Sequence, residues 1–475
     1  AADARRLATE KAELEVRLLE AEEAAAALRA EARALRAGGA GDAAAMRVEL
    51  AEVRGQLEYA ALELRRESVL RKKLYNEIRE LKGNIRVVAR VRPAAPGGAQ
   101  PASGVDHTPV ISAADEYTAE ISSEGPRAGA TPDAKGQRRE VPARRYEFDS
   151  CLGPAATQED VFEECRSLVR SALDGYNVCI FAYGQTGSGK THTILGTPTA
   201  PGLLPRAMEQ LYPPCLEGPL EVAVECSMLE LYQDTLGDLL GPAAPRTPPR
   251  PGSSPGPAAE ATAPRLEIKR GPTGEVRVEG STFMQCGSLE ELRRQCERGM
   301  ERRQTAVTRM NDASSRSHLV FSIHICTKNT ATGVLTRSKL TFVDLAGSER
   351  VARSGAIDDA TRLKEAQAIN KSLSALGDVV SALTTGADFV PYRNHKLTQL
   401  MSDSLGGNAK TLMVVNVSPL ISDVPESKNS LEYATRVKNV ANEASKSVET
   451  RELSRLRAVV ERQAGELAAL RGGRP

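Results

Sequence analysis

Hydrophobic and polar positions along this 475-residue chain follow different periods, and the changes between them mark its parts. Over residues 1–82, which hold no proline, apolar side chains return every seven positions. Leu7, Leu14, Ala21, Leu28 and Leu35 form one row, with Leu18, Ala25 and Ala32 on the companion position. Gly38, Gly39 and Gly41 break it. Leu50, Leu57, Leu64 and Ile78 then form a second row beside Val53, Ala60, Leu74 and Leu81. Such spacing puts an apolar seam along one side of a long helix, which favours a coiled coil. Glu67 and Arg71 interrupt the seam, and the Ala-rich first stretch suits a single solvated helix equally well.

At "ELKGNIRVVARVRP" the period falls to two. The helix stops at Gly83, and Ile85–Val91 alternates as a strand does. Residues 94–145 are loose and rich in Ala, Gly and Pro, with one strand-like piece near Tyr117–Ile121. From Tyr146 onward strand and helix patterns alternate. The runs "VCIFAYG", "KLTFVDLAG" and "TLMVVNVSP" are almost unbroken apolar stretches, as buried central strands require. The expected fold is α/β, with a central, mostly parallel sheet flanked by helices. Residues 241–265 are Pro-rich and without period, and read as a solvated insertion.

Composition narrows the partners. Lys plus Arg (63) nearly equals Asp plus Glu (62), so a surface for a charged partner must be local. The 8 Cys form no CxxC pair, and there is no His cluster at metal-ligand spacing. They read as buried thiols of a reducing compartment rather than disulfides or a zinc site. No apolar run reaches the length of a membrane span. The chain opens at Ala1, in mid-pattern, as a piece of a longer protein would.

The chemistry is carried by three stretches. Gly184–Thr191, "GQTGSGKT", follows an apolar strand and fits a loop whose backbone N–H groups turn inward to cradle phosphates. The helix after it would aim its positive end at the same anion. Gly184, Gln185, Thr186, Gly187, Ser188 and Gly189 make the cradle; Lys190 would reach the terminal phosphates and Thr191 a magnesium ion. "NDASSRSH" offers the hydroxyls of Ser314, Ser315 and Ser317 beside Arg316. "VDLAGSE" ends a buried strand in Asp344, placed to hold magnesium through water, with Gly347 beyond it to bring an N–H onto the γ-phosphate.

"RVRP", "GQTGSGKT", "NDASSRSH" and "DLAGSE", in that order, resemble the four nucleotide-contacting motifs of the kinesin motor domain. The likeness extends over about residues 84–440 through "RLKEAQAINKSLSALGDVVSAL" and "VPYRNHKLTQLMSDSLGGNAKTLMVVNVSP". It implies a P-loop NTPase that couples hydrolysis of ATP, with Mg2+, to microtubule (tubulin) binding in the cytoplasm and cytoskeleton. Carried onto this chain, Arg90 and Pro93 flank the adenine with His192 opposite. Ser314 and Asp344 join Thr191 at the metal, and Ser315 approaches the attacking water. Arg316 and Glu349 form a closing salt bridge that also relays the proton. Lys269, Arg270, Lys371, Arg393, His395 and Lys396 face the acidic track.

A helix that runs straight into the motor through "LRKKLYNEIRELKGNIRV" resembles the neck of the C-terminal-motor kinesins (kinesin-14). That likeness implies minus-end-directed movement by a swing of the neck helix, and a homodimer through the coiled coil. "ELYQDTLGDLL" and "NEASKSVETRELSRL" resemble the kinesin-like calmodulin-binding group of plants and green algae. There a segment after the motor mimics a neck linker, and a basic helix binds calmodulin. Here residues 441–475 carry Arg451, Arg455, Arg457 and Arg462 beside Leu453, Leu456, Val459 and Val460, but no aromatic follows Tyr433. Calmodulin targets insert bulky anchors, so a short capping helix is the competing reading. Two rival functions remain. A non-motile microtubule cross-linker would show decay of the nucleotide motifs, and none is seen. A GTPase would carry N-K-x-D, which is absent.

Overall fold

The chain divides into residues 1–84 and 85–475. The computed structural model describes residues 85–94, 109–122, 144–212, 220–241, 266–271, 274–308, 313–330, 333–349, 360–440 and 448–449. The heptad stretch, residues 242–265 and the basic C-terminal stretch lie outside the described residues.

Among the described residues strands come first: β1 (Ile85–Val91), β2 (Ile111–Ala113), β3 (Thr118–Ile121), β4 (Arg144–Glu147) and β5 (Ser150–Leu152). Helix α1 (Gln158–Leu173) leads to β6 (Val178–Tyr183), α2 (Lys190–Ile194) and α3 (Leu203–Gln210). Then come β7 (Leu220–Tyr232), β8 (Thr235–Asp238), β9 (Glu267–Arg270), β10 (Val276–Glu279) and β11 (Met284–Cys286). Helix α4 (Leu289–Thr308) precedes β12 (Ser317–Asn329) and β13 (Leu335–Asp344). The rest is α5 (Ala360–Thr384), α6 (Lys396–Leu400), β14 (Lys410–Val417), α7 (Val424–Lys438) and β15 (Val448–Glu449).

The main sheet runs β11-β7-β12-β13-β6-β14-β1-β5, with β8 added to β7 and β15 to β13. From β13 to β5 every pairing is parallel, and from β13 to β11 every pairing is antiparallel. The sheet is therefore mixed rather than mostly parallel. The unbroken apolar runs form the parallel half; β7 and β12 pair over thirteen residues because each is long enough to be its neighbour's full partner. The strand-like piece in the loose segment is β3, which sits in a separate small sheet, β2-β3-β4.

Side chains alternate between the two faces, as the pleat demands. Val87, Ala89, Phe181, Met413 and Val415 share one core with Leu376 and Val380 of α5, Leu397 of α6 and Leu431 of α7. Val88, Ile180, Leu412, Val414 and Phe342 share the other with Val161 and Leu168 of α1, Leu204 of α3 and Leu292 of α4. Each fully buried Leu, Val or Phe contributes about 1.5–3 kcal/mol, so both layers of helices are held by apolar contact. Two polar devices then fix what the site needs. Thr157 caps α1 in a capping box with Asp160, which sets Gln158 at the first helical position. Asp403, buried just beyond α6, accepts from Lys339 Nζ at 2.5 Å, Val276 N at 3.0 Å and Ser404 Oγ at 2.9 Å. That carboxylate ties the β9–β10 hairpin, which carries Lys269 and Arg270, to the end of α6 and to β13.

Strand β13 pairs with β6 only from Leu340 onward, and β15 covers the earlier part at Leu335 and Thr336. The β7–β8 turn has two residues, and Gln233 takes φ 53° there, a conformation a non-glycine residue adopts at a cost of about 1 kcal/mol. Among the described residues, no helix is long and apolar enough to cross a membrane.

Removing the Asp403 carboxylate leaves the Lys339 ammonium without its charged partner in a largely desolvated place. Asp403→Ala is expected to lower stability by about 3 kcal/mol, read as a fall in the denaturant midpoint with the slope unchanged.

Candidate functional site

Strand β6 ends at Tyr183, and the chain turns through Gly184–Gly189 into α2. The turn requires glycine at position 184: a Cβ there would lie 2.2 Å from the carbonyl oxygen of Asn416. Lys190, buried at the start of α2, folds back so that Nζ donates to Gly184 O and Gln185 O, each at 2.9 Å. Burial lowers its pKa, and the carboxylates of Asp344 and Glu349 oppose that shift. A desolvated ammonium whose hydrogen bonds go only to neutral carbonyls gains from an anion in direct contact, which is what a phosphate supplies.

Asp344 closes β13 directly beside Ala182 of β6, so the parallel register sets its carboxylate against the loop. Its Oδ2 accepts from Thr191 Oγ1 at 2.6 Å. Arg303 of α4, almost fully buried, lies 3.7 Å from the same oxygen and also donates to Ser317 O. Asp344 Oδ1, Ser188 Oγ and Gln185 Oε1 are buried with no hydrogen-bond partner. Thr191, Asp344 and these unsatisfied oxygens are a hard oxygen donor set of the type magnesium takes, next to a cradle of phosphate size. The residues fit a magnesium nucleotide. The side chain of Ser314 lies outside the described residues; its backbone is in the short turn Ala313–Arg316.

Three loops are joined through the backbone. Gly347 N donates to Ser315 O at 2.9 Å, and Ser348 N donates to Gly184 O at 3.0 Å. A Cβ at position 347 would sit 2.2 Å from Glu349 Oε2 and 2.3 Å from Thr186 Oγ1, so any side chain there would have to displace the Glu349–Thr186 contact. Here the structure departs from the expected salt bridge. Glu349 accepts from Thr186, from the amide at 2.8 Å and from the hydroxyl at 2.6 Å. Arg316 instead pairs with Glu365 of α5. Glu365 is buried, and its other oxygen accepts from Tyr232 OH at 2.5 Å. A buried carboxylate already fixed by a hydroxyl offers Arg316 a less screened partner than one at the loop surface. The Gly347 N–H expected at the γ-phosphate is likewise engaged by Ser315 O in this conformation.

On the adenine side the expected trio is only partly assembled. Pro93 and His192 are exposed, but Arg90 is buried and donates to Gln158 Oε1 at 2.9 Å and Thr193 Oγ1 at 2.8 Å. Burial lowers its pKa to about 10. Gln158 Nε2 donates to His192 O at 2.6 Å and lies 3.2 Å from His192 Nδ1. Arg90 therefore works through Gln158 rather than as an open wall. Gln158, Thr193, Arg303, Glu365 and Asn416 were not visible as site residues in the sequence. The one signal present was the Thr157/Asp160 capping pair, which places Gln158 at the head of α1.

Of the six expected track-facing residues, Lys269 and Arg270 are exposed on the β9–β10 hairpin and Arg393 is exposed before α6. Lys269 lies between Glu267 (3.4 Å) and Glu279 (3.6 Å). His395 is a correction. It is buried, caps α6 by accepting from Leu397 N at 3.1 Å, and has Nε2 2.9 Å from Asp234 Oδ1 without an aligned hydrogen bond. Burial lowers its pKa, with Asp234 opposing. Asp234, at the β7–β8 turn, also meets Lys371 Nζ at 3.6 Å and accepts from Lys396 Nζ on its backbone oxygen at 2.6 Å.

A phosphate loop after a parallel strand, a carboxylate at the end of the adjacent strand and two interlaced loops define a P-loop nucleotide-binding protein. Comparison with known proteins supplies the family. Residues 108–440 match the family described as the kinesin motor domain. The chain is 45% identical over 407 residues to "Kinesin-like protein KIN-14E" of Arabidopsis thaliana, covering 85% of this chain and 29% of that protein. It is 40% identical over 408 residues to "Kinesin-like protein 2" of Schizosaccharomyces pombe, covering 83% of this chain and 46% of that protein. A solved fast kinesin superposes with a TM-score of 0.63 at 33% identity, over 78% of this chain and 95% of its own. A solved C-terminal motor of Kar3Vik1 gives 0.64 at 32%, over 87% and 99%. The chain belongs to the kinesin motor domain family, and its relatives include kinesin-14 proteins. It spans 29% of the length of each of the two plant relatives with which it shares 45% identity.

Lys190→Ala removes the one ammonium inside the loop. Affinity for ATP is expected to fall about a hundredfold, read by titration with a fluorescent nucleotide, while the melting temperature holds.

Proposed function

We propose that this chain is a microtubule-stimulated ATPase motor, minus-end-directed, that couples ATP hydrolysis to a swing of the helix before β1. The observation that carries the reading is the lacing of three loops around one phosphate cradle, with α5 joined to one of them through Glu365 and Arg316. Lys190 and the loop amides would bind the phosphates of ATP. Thr191, Ser314 and Asp344 would hold Mg2+, which when bound supplies charge neutralisation at the phosphates. Ser315 positions the attacking water. Arg316 leaves Glu365 for Glu349 when the site closes, and that pair relays the proton the water gives up. Catalysis of this kind rests on positioning and electrostatics rather than covalent help.

Lys269, Arg270, Lys371, Arg393 and Lys396 form the track-facing surface, with the tubulin of microtubules as partner and the cytoplasmic cytoskeleton as location. His395 supports that surface from below. The segment after α7 acts as a neck mimic, a reading favoured by β15 lying on the open edge of β13. The stretch before β1 forms a homodimeric coiled coil. Calmodulin or a related calcium protein is the candidate ligand of the basic C-terminal stretch.

The test is a gliding assay on polarity-marked microtubules with ATP. Plus ends leading is the expected result; minus ends leading would overturn the directionality, and tight binding without movement or ATPase stimulation would favour a cross-linker. Glu349→Ala is expected to lower microtubule-stimulated turnover about a hundredfold or more while microtubules still co-sediment with the protein.

A further inference from the structure

His318, the last residue of "NDASSRSH", is not used by the chemistry above, yet its ring is buried with both nitrogens engaged. It is the second residue of β12 and is buried. Its Nδ1 accepts from Ala346 N at 3.1 Å. Its Nε2 lies 2.9 Å from Ser372 Oγ in α5. An amide N–H only donates, so Nδ1 carries no proton and the ring proton sits on Nε2. Ser372 Oγ gives its own proton to Ile369 O at 2.7 Å, which leaves it to accept from Nε2. The chain of donors therefore runs one way, from Ala346 through the ring to Ser372 and Ile369, with every group satisfied. Burial, aided by the charges of His395, Arg303 and Lys190, lowers the ring's pKa to about 3, which keeps it neutral.

The two ends of this strut matter. Ala346 lies between Asp344, which meets Thr191, and Gly347, which meets Ser315. Ser372 is the neighbour of Lys371 on α5, and both Ser372 and Ala346 are buried. Arg316, from the loop before β12, also reaches α5 through Glu365, but by a long side chain that can rotate. A planar imidazole with both nitrogens committed fixes a distance. Each bond is neutral, so its effect is on geometry more than on stability.

We propose that His318 is a positioning residue that locks the loop after β13 to α5, so that a shift at the nucleotide is passed to the track-facing helix. This rests on the motor reading, because only a motor must transmit such a shift.

The test uses Ser372→Ala, Ser372→Thr and His318→Asn, the last keeping an acceptor for Ala346 but ending short of Ser372. Basal ATPase, microtubule-stimulated ATPase, melting temperature and the ratio of microtubule affinities with a non-hydrolysable ATP analogue and with ADP are measured. Ser372→Ala is expected to keep basal turnover and melting, to lose about tenfold in stimulation, and to bring the affinity ratio towards one. Ser372→Thr restores both, and the His318→Asn/Ser372→Ala double variant shows no further loss in the ratio, since one link is cut twice. A wild-type ratio in Ser372→Ala overturns the proposal, as does loss of basal turnover in step with stimulation, the sign of a general structural role. If the unmodified protein shows no stimulation, the motor reading falls and the coupling with it; if it is stimulated and Ser372→Ala equals it, only the coupling falls.

Discussion

Two peptide N–H groups hold the nucleotide site in one frame: Gly347 N on Ser315 O, and Ser348 N on Gly184 O. Neither bond is possible unless the strands carrying the loops end at the same edge of the sheet. Parallel pairing of β13 with β6 meets that condition by placing Asp344 beside Ala182. Glycine at position 347 leaves the space that Glu349 and Thr186 share. Backbone bonds of this kind are indifferent to side-chain rotamers, so the three loops shift as a set or part company outright. Thr191, Asp344, Arg303 and Lys190 take their places inside that frame.

Charged side chains around the frame have more than one acceptable partner. Arg316 lies on Glu365, and Glu349 on Thr186, although a pairing of Arg316 with Glu349 also suits their charges. Burial decides between them in this conformation. Glu365 is shielded from water and fixed by Tyr232, and the arginine gains most where screening is least. Because Glu365 belongs to α5, this choice of partner records the state of the site in the position of a helix.

How much of the molecule is legible in its sequence depends on what each feature rests on. The phosphate loop, Asp344 and the central strands rest on local runs: apolar residues without a break, then glycines and a lysine at fixed spacing. Such runs declare themselves. The antiparallel half of the sheet does not, because β7 and β12 are long strands whose direction is set by their neighbours. The partner of Arg316 lies 49 positions away, in a helix whose sequence signals only a track-facing role. His395 has the look of a surface cation beside Arg393 and Lys396, yet it turns inward to cap α6, and nothing in "YRNHKLT" separates a capping ring from an exposed one. Arg303 and Gln158 carry no motif at all, and only packing brings them to the site.

The β7–β8 turn has an effect at long range. With Asp234 set among Lys371, His395 and Lys396, and Lys269 set between Glu267 and Glu279, much of the basic face is already neutralised by its own chain. Beyond a Debye length of about 8 Å such a face exerts little pull on a polyanion. These internal anions weaken the face's field at a distance without cancelling it. Attraction is strongest near contact, where single charges are felt separately and internal partners count least.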